Sequence, residues 1–436
     1  MENKKVAFLT LGCKTNQYET NAMAQKFIEA GYKICDINEN PDIAIINTCT
    51  VTNMADRKSR QTLRKVKQDN KSTIVVAVGC YVQVAKDKLE DMQELDLILG
   101  NSEKKDIIKH IEKYIQVKKG KEIGDISVQK EYEEYGCITY TEKTRATIKI
   151  QDGCNNFCTY CLIPYARGRI RSRHKENILE EVTEISRKGI KEIVLTGIHI
   201  ASYGKDFNNG YMLIDLLEDL NKINGIERIR LGSLEPTIIT DEFIQRLKKL
   251  SKICNHFHLS LQSGCDQTLK RMNRKYTTQE FREVVNRIRE NFETVNLTTD
   301  IIVGFPGETE EEFNRTYEFL KEIDFYKMHV FKYSKRDGTL ASTMSNQVDG
   351  KIQEERSKKL IKLSDENQLK YNKTCIGKEL EVLFEEKQGD FYVGHTKDYV
   401  VVKTASNIDL DNKIITVVGE KIIGEEIISK NYKNSN

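Results

Sequence analysis

The sequence predicts an α/β protein in three parts: an N-terminal open parallel sheet with helices (1–117), a central partial (β/α)6 barrel (144–366) and a small C-terminal β-barrel of the OB or SH3-like kind (367–436), with 118–143 as a linker. Three observations predict it. Short β-branched runs alternate with helical patterns over 5–116, and a second, longer alternation begins at 146; this is the pattern of parallel strands covered by helices. Over 377–430 the hydrophobic period switches to two, with Gly389, Gly394, Gly419 and Gly424 as punctuation, as in a small closed barrel. Finally, 436 residues of which 39% are hydrophobic suffice for the cores of about two to four domains.

In order, the first part reads as strand 6–11, a helix over 18–30, strand 43–47, a helix from 53, strand 74–79, a helix over 84–92, strand 95–99 and a helix from 103. Segment 120–143 is rich in Lys and Glu and weakly periodic, which suits a linker or an irregular strand pair. Strands at 146–150, 192–196, 228–231, 256–261, 296–303 and 328–333 follow, separated by helical patterns. Six such units suggest a sheet that curls, with chemistry at the C-terminal strand ends. A helix is expected over 360–373, and then the period-two strands, for example 380–384 and 399–402. There is no tandem repeat and no low-complexity tract.

Lys and Arg number 69 against 66 Asp and Glu, a formal charge of +3, so nucleic-acid contact must come from local basic clusters. No window approaches the roughly 18 apolar residues of a membrane helix, and the start is too short for a signal peptide. A soluble, cytoplasmic protein is expected, with no membrane and no DNA partner. Eleven cysteines in a reducing compartment argue against a disulfide framework and for metal or catalytic thiols, some remaining ordinary small core residues.

Spacing sorts them. Cys154-Asn155-Asn156-Phe157-Cys158-Thr159-Tyr160-Cys161 is a C-x3-C-x2-C loop directly after a strand. Three thiolates so close can hold three irons of a 4Fe-4S cluster and leave the fourth open; a zinc knuckle with a distant fourth ligand is the alternative. Cys13, Cys49 and Cys80 each follow one of three successive strands of the first part. In a parallel sheet those ends share one edge, so the three can converge on a second incomplete cluster; three buried small hydrophobes are the alternative.

The loop, with Tyr160 before its last cysteine, resembles that of the radical S-adenosylmethionine superfamily. The resemblance implies that Cys154, Cys158 and Cys161 bind a 4Fe-4S cluster whose open iron chelates S-adenosylmethionine. It further implies that Tyr160, Thr196, Gly197, Ser233, Glu235, Gln262, Val303 and Gly304 line the cofactor pocket, since Thr196-Gly197, Ser233-Leu234-Glu235-Pro236, Leu261-Gln262-Ser263-Gly264 and Asp300 to Glu308 lie at later strand ends. The whole chain resembles the methylthiotransferase family, whose members join a domain with three cluster cysteines, here Cys13, Cys49 and Cys80, to a radical domain and a C-terminal TRAM barrel. Leu11-Gly12-Cys13-Lys14-Thr15-Asn16-Gln17-Tyr18-Glu19, Asn47-Thr48-Cys49-Thr50-Val51-Thr52, Thr196-Gly197-Ile198-His199-Ile200 and Leu269-Lys270-Arg271-Met272 are most similar to the branch that acts on N6-threonylcarbamoyladenosine beside the tRNA anticodon. The resemblance implies two 4Fe-4S clusters, S-adenosylmethionine, a tRNA substrate and an electron donor such as flavodoxin or ferredoxin. Isopentenyladenosine in tRNA or a ribosomal-protein side chain is the alternative acceptor, and a zinc-stabilised, non-catalytic RNA-binding protein is the rival of another class.

Two basic clusters are expected to touch RNA phosphates: Arg57, Lys58, Arg60, Arg64, Lys65 and Lys67 on an expected helix, and Arg167, Arg169, Arg171, Arg173 and Lys175 after the C-x3-C-x2-C loop. A solvated helix face is the alternative for the first, and pairing of part of the cluster with the cofactor carboxylate is the alternative for the second. Residues 370–436 hold ten Lys, no Arg and eleven acidic residues, so RNA contact there would rest on one face and on aromatics such as Phe391, Tyr392 and Tyr399, which can equally be core. Cys35, Cys137, Cys254, Cys265 and Cys375 lack ligand spacing. His256 and His258 read as structural, and His199 as a weak site candidate.

Overall fold

The computed structural model describes residues 4–117, 120–140 and 144–432; the parts of the expected linker at 118–119 and 141–143 lie outside the described residues. Strands β1 (Lys5–Thr10), β2 (Lys33–Ile34), β3 (Ile43–Thr48), β4 (Ile74–Gly79), β5 (Leu97–Leu99) and β6 (Lys121–Glu122) form one sheet in the order β2-β1-β3-β4-β5-β6, parallel at every pairing. Its central strands are apolar on both faces because helices cover both. Helix α1 (Lys14–Glu29) buries Met23 and Phe27 against Ile43, Ile45, Val76 and Val78, and α2 (Asn53–Asp69) buries Leu63 and Val66 against Ile46 and Val75. Where one helix was expected over 84–92 there are two short ones, α3 (Cys80–Val84) and Lys86–Glu90, broken at Ala85, which leaves helical geometry.

The expected linker is not a free tether. Lys121–Glu122 adds the sixth strand, and Glu133, Tyr135 and Ile138 are buried, Tyr135 packing edge-on to Tyr18 of α1 with ring centroids 6.5 Å apart.

The central strands are β7 (Arg145–Asp152), β8 (Arg171–Ser172), β9 (Glu192–Gly197), β10 (Arg228–Leu231), β11 (His256–Gln262), β12 (Asn296–Val303) and β13 (Lys327–Lys332). β8, antiparallel to β7, was not expected. The rest run parallel as β7-β9-β10 and β11-β12-β13, joined through the bridges Ile229 to Ile253 and Leu234 to Leu259. Side chains from β9 through β13 line one cavity, which requires the sheet to curl. Its flank beside β7 is covered by α1, which packs on β7 and β9. The helix expected over 360–373 begins earlier, at Gly350–Thr374, capped by the Asp349 carboxylate accepting from Lys351 N–H.

Strands β14 (Glu379–Gln388), β15 (Phe391–Thr396), β16 (Val401–Ala405), β17 (Ile414–Ile423) and β18 (Glu426–Ser429) close in the order β14-β15-β16-β18-β17 around Val382, Phe384, Val400, Val402, Leu410 and Ile427. This barrel sits on the N-terminal edge of the central sheet. Fully buried Arg228 donates to the carbonyls of His395 (2.9 Å) and Glu381 (3.0 Å), and Arg230 to those of Lys397 (3.0 Å) and Thr396 (3.2 Å). Both pair with buried Glu192, so the charges that clamp the barrel are compensated inside.

Candidate active site

Because β1, β3 and β4 are neighbours, their ends stand side by side and bring Cys13, Cys49 and Cys80 to one edge. Gly12 makes the approach possible: its φ is +103°, and a Cβ there would lie 2.7 Å from Cys49 Sγ. Asn16 ties the loops together by donating to the carbonyls of Leu11 (2.7 Å) and Thr48 (3.0 Å). Burial, together with the neighbouring Cys80 and Cys13, pushes the Cys49 thiol up to about 11.

The loop after β7 presents Cys154, Cys158 and Cys161, all half-buried. It is pinned by Cys154 N–H to Gly168 O (3.1 Å), Thr159 N–H to Met272 O (3.1 Å) and Asn273 Nδ2 to Phe157 O (3.0 Å). Donors converge on its sulfurs: Asn156 N–H on Cys154 (3.5 Å), Ile163 N–H on Cys161 (3.4 Å) and Arg274 Nη1 on Cys158 (3.3 Å). Burial and neighbouring thiols push Cys154 up to about 11 and Cys161 up to about 12, so these two thiols ionise only against a bound cationic centre.

Neither cysteine triad is gathered for a single ion. Among the described residues, the one group of three metal-ligating side chains with all ligand atoms within 4.8 Å is His258, Asp300 and His329. Thiolates on one tetrahedral zinc stand about 3.8 Å apart, from Zn–S bonds of about 2.3 Å. Wider thiol triads surrounded by donors suit the corners of an iron–sulfur cluster, whose sulfurs accept such hydrogen bonds.

A buried charge network separates the two triads. Arg167 donates through Nε to Cys80 Sγ (3.1 Å) and through its Nη atoms to Asn16, Glu19 and Asp152. Glu19 also takes Lys104 (2.6 Å) and Lys149 (2.7 Å), while Asp152 takes Lys149 (2.6 Å) with Arg171 at 3.8 Å. All are buried. The cations Lys104, Lys149, Arg167 and Arg171 thus outnumber the ionised carboxylates Glu19 and Asp152, which both lie well below the usual carboxylate range because those cations outweigh their burial. An anionic thiolate-bound cluster at Cys80 is the counter-charge this surplus fits.

This overturns one expectation. Arg167, Arg171 and Arg173 do not face RNA: they are fully buried, Arg173 pairing with Glu134 (2.7 Å) and Glu181 (2.7 Å). Of that cluster Arg169 is exposed, its guanidinium 4.5 Å from the Phe157 ring centroid. In the first cluster Arg57, Lys58, Arg64 and Lys65 are exposed on α2, whereas Arg60 donates to Tyr81 OH (2.6 Å) and Lys67 pairs with Asp96 (2.7 Å). Of the three barrel aromatics Phe391 alone is exposed; Tyr392 belongs to the core.

Among the expected cofactor contacts, Thr196, Gly197 and Ser233 line a cavity of about 710 Å³ together with Cys13. Glu235 accepts from Arg274 Nη2 (3.0 Å) and His199 Nε2 (3.2 Å), placing it one residue from Cys158. Gln262 ends β11 in the left-handed region, at φ 71°. Tyr160 packs edge-on to Phe305 at 6.3 Å, Val303 is fully buried core, and Gly304 N–H donates to Glu308 (2.6 Å); these three, like Glu235 and Gln262, are not on the wall of this cavity. His256 and His258, expected to be structural, line the cavity, as do Lys14 and Asp300, which the sequence placed only within motifs, Tyr399, which it offered for RNA contact, and Arg230 and His329, which it did not single out. The period-two spacing of His256 and His258 was the available signal; which strand face turns inward was not. Of the remaining cysteines Cys254, Cys265 and Cys375 are buried and Cys35 and Cys137 half-buried.

Comparison with known proteins fits this architecture. Residues 148–320 match the radical SAM superfamily and residues 5–100 the uncharacterized protein family UPF0004. The threonylcarbamoyladenosine tRNA methylthiotransferase MtaB of Bacillus subtilis (strain 168) is 42% identical over 94% of this chain and 93% of its own length. That of Aquifex aeolicus (strain VF5) is 42% identical over 92% and 96%. A tRNA-2-methylthio-N(6)-dimethylallyladenosine synthase from Caldicellulosiruptor saccharolyticus (strain ATCC 43494 / DSM 8903 / Tp8T 6331) is 36% identical over 95% and 90%. Among solved structures, the radical S-adenosylmethionine methyltransferase TsrM from Kitasatospora setae, with cobalamin and a [4Fe-4S] cluster bound, superposes with a TM-score of 0.58 at 14% identity, over 78% of this chain and 77% of that one; this likeness shows the fold alone.

Proposed function

The chain belongs to the radical S-adenosylmethionine methylthiotransferase family, and we propose that it converts N6-threonylcarbamoyladenosine next to the tRNA anticodon to its 2-methylthio derivative. The observation that carries the reading is one cavity lined both by Cys13 of the first triad and by the strand ends Thr196, Gly197 and Ser233. The acceptor carbon, C2 of a purine, bears no acidic proton, so acid–base chemistry alone does not activate it. When bound, the two clusters and S-adenosylmethionine supply the one-electron cleavage, the sulfur and the methyl group.

In this reading Cys154, Cys158 and Cys161 hold the cluster that binds S-adenosylmethionine, and Cys13, Cys49 and Cys80 hold the second. Arg274 and Glu235 orient the first loop at Cys158. Thr196, Gly197, Ser233 and Gln262 receive the cofactor at the strand ends, while Tyr160, Val303 and Gly304 shape the packing behind it. The three parts 1–117, 144–366 and 367–436 act as the sulfur-holding domain, the radical domain and a TRAM barrel. The exposed bases of α2, which starts four residues after Cys49, guide the tRNA backbone. The protein works in the cytoplasm, and a flavodoxin or ferredoxin donates the electron; among the described residues no helix is long and apolar enough to cross a membrane.

Mass spectrometry of tRNA nucleosides from a host lacking methylthiotransferases, with and without this gene, tests the proposal. Appearance of 2-methylthio-threonylcarbamoyladenosine is expected. A gain of the methylthio group on the dimethylallyl nucleoside instead would move the chain to the sister substrate, and no change in either, with iron present, would overturn the tRNA reading.

A further inference from the structure

The cavity carries one basic side chain that no other described residue answers. Its basic lining residues are Lys14, Arg230 and Lys327. Arg230 is held by Glu192 (2.7 Å); of the two acidic lining residues, Glu425 holds Lys327 (2.5 Å) and Asp300 lies 3.3 Å from His258. Lys14, the residue after Cys13, has no hydrogen-bond or ion-pair partner among the described residues. It opens the 16-residue helix α1, whose N-terminal dipole adds positive potential. Tyr399, on the same wall, reports that potential: burial raises its phenol, yet Arg145, Lys14 and Arg230 outweigh burial and leave it below its usual value.

We infer that Lys14 is the anion-binding subsite of the acceptor pocket, taking the threonyl carboxylate of N6-threonylcarbamoyladenosine. The inference rests on the proposed function and adds the group that selects the substrate. The two nucleosides named by the relatives differ in chemistry at N6: a threonylcarbamoyl group carries a carboxylate, ionised at neutral pH, and a dimethylallyl group is hydrocarbon. In the purine C2 and C6 both flank N1, so the N6 substituent leaves the ring close to the reacting carbon. Adjacent residues, Cys13 and Lys14, therefore read adjacent parts of one base. A carboxylate satisfies the free ammonium; a dimethylallyl group seated over it would strip its water and offer no partner, which selects against that substrate as well as for the other.

The test uses the cluster-loaded full chain and an anticodon stem-loop carrying threonylcarbamoyladenosine, with its carboxylate either free or methyl-esterified. The wild type is expected to bind the free acid on the order of 10- to 100-fold more tightly than the ester, the range for a charge-assisted hydrogen bond. Lys14→Gln should bind the two alike, and Lys14→Arg should restore most of the preference, with iron content unchanged in both. In turnover Lys14→Gln should raise KM for the free acid by the same factor and change kcat less. Equal wild-type affinity for acid and ester would overturn the inference, as would a preference that survives Lys14→Gln or a defect traced to S-adenosylmethionine affinity. A binding preference without methylthiolation would instead sink the proposed function and leave the subsite standing.

Discussion

Replacing Glu19 with Gln tests whether the surplus of buried cations beside Cys80 is a real feature of the molecule. The Glu19 carboxylate is fully buried and accepts from Lys104 (2.6 Å), Lys149 (2.7 Å) and Arg167 (3.1 Å through Nη2). An amide keeps one acceptor and turns a donor toward a cluster of donors. Breaking a buried pair from one side costs about 3–5 kcal/mol, here concentrated where α1 meets β7. Lys104→Met differs: Lys104 is a fully buried cation whose amine burial pulls below its usual value, and Glu19 keeps Lys149 and Arg167 without it. Its removal relieves the surplus and should cost under about 1 kcal/mol. A chain of this size need not unfold in two states, so the assay is native-state hydrogen exchange of α1 and β7 amides in the cluster-free protein. Glu19→Gln should speed exchange through about two to three and a half orders of magnitude. Because the folded carboxyl is depressed, its stabilisation is fully present above the unfolded value near 4.3 and is lost as pH falls below it. The difference between wild type and variant should shrink accordingly. Lys104→Met speeding exchange as much as Glu19→Gln, or Glu19→Gln changing it less than about tenfold, would refute the charge argument.

Glu133 sits beside the same network, 5% exposed, and burial pushes its carboxyl up to about 7. A raised carboxyl weakens the fold as pH climbs from its unfolded value near 4.3 through about 7, so Glu133→Gln should stabilise β7 by about 2–4 kcal/mol at pH 8 and have little effect at pH 4; exchange corrected for intrinsic pH dependence reads the difference. Arg57, Lys58 and Lys65 are exposed on α2, and their joint replacement by Ala should weaken tRNA binding and lower the log–log salt slope by about 2 to 3. Arg173→Ala should loosen the fold instead, as seen by proteolysis. Gly12→Ala puts a Cβ 2.7 Å from Cys49 Sγ and should cut iron from about eight to about four per chain. Gly136→Ala, at a positive φ of 86° with nothing within 4 Å, should keep its iron and serve as the control.

What could be read from the sequence was whatever is encoded in local spacing. The C-x3-C-x2-C loop is contiguous, and Cys13, Cys49 and Cys80 inherit their convergence from a regular parallel order, β1-β3-β4. The failures share one cause. Arg167, Arg171 and Arg173 looked like phosphate ligands because their counter-charges Glu19, Asp152, Glu134 and Glu181 come from other segments of the chain. His256 and His258 do make structural bonds, each 3.0 Å from Thr298 Oγ1; that they also face the cavity depends on the curl of the sheet, which is set by neighbouring strands. Lys14 was one polar residue in a motif until β10 and the C-terminal barrel placed Arg230 and Tyr399 around the same cavity.

A formal charge of +3 made the chain look electrostatically indifferent, and the structure explains why that sum misleads. The buried bases do two kinds of work, and only one is neutral. Arg228 and Arg230 meet Glu192 and barrel carbonyls, fastening one domain to another with every charge answered. Lys104, Lys149, Arg167 and Arg171 exceed their carboxylates beside Cys80, and Lys14, exposed on the cavity wall next to Cys13, has no partner among the described residues. Uncompensated buried charge is costly in a folded chain, so the surplus beside Cys80 supports the proposed thiolate-bound metal there, and the unpaired cation on the cavity wall supports the proposed carboxylate subsite at Lys14. The acidic residues that bring the total back toward zero are spent elsewhere, including the eleven over 370–436. Net charge averages away the distribution that marks the site.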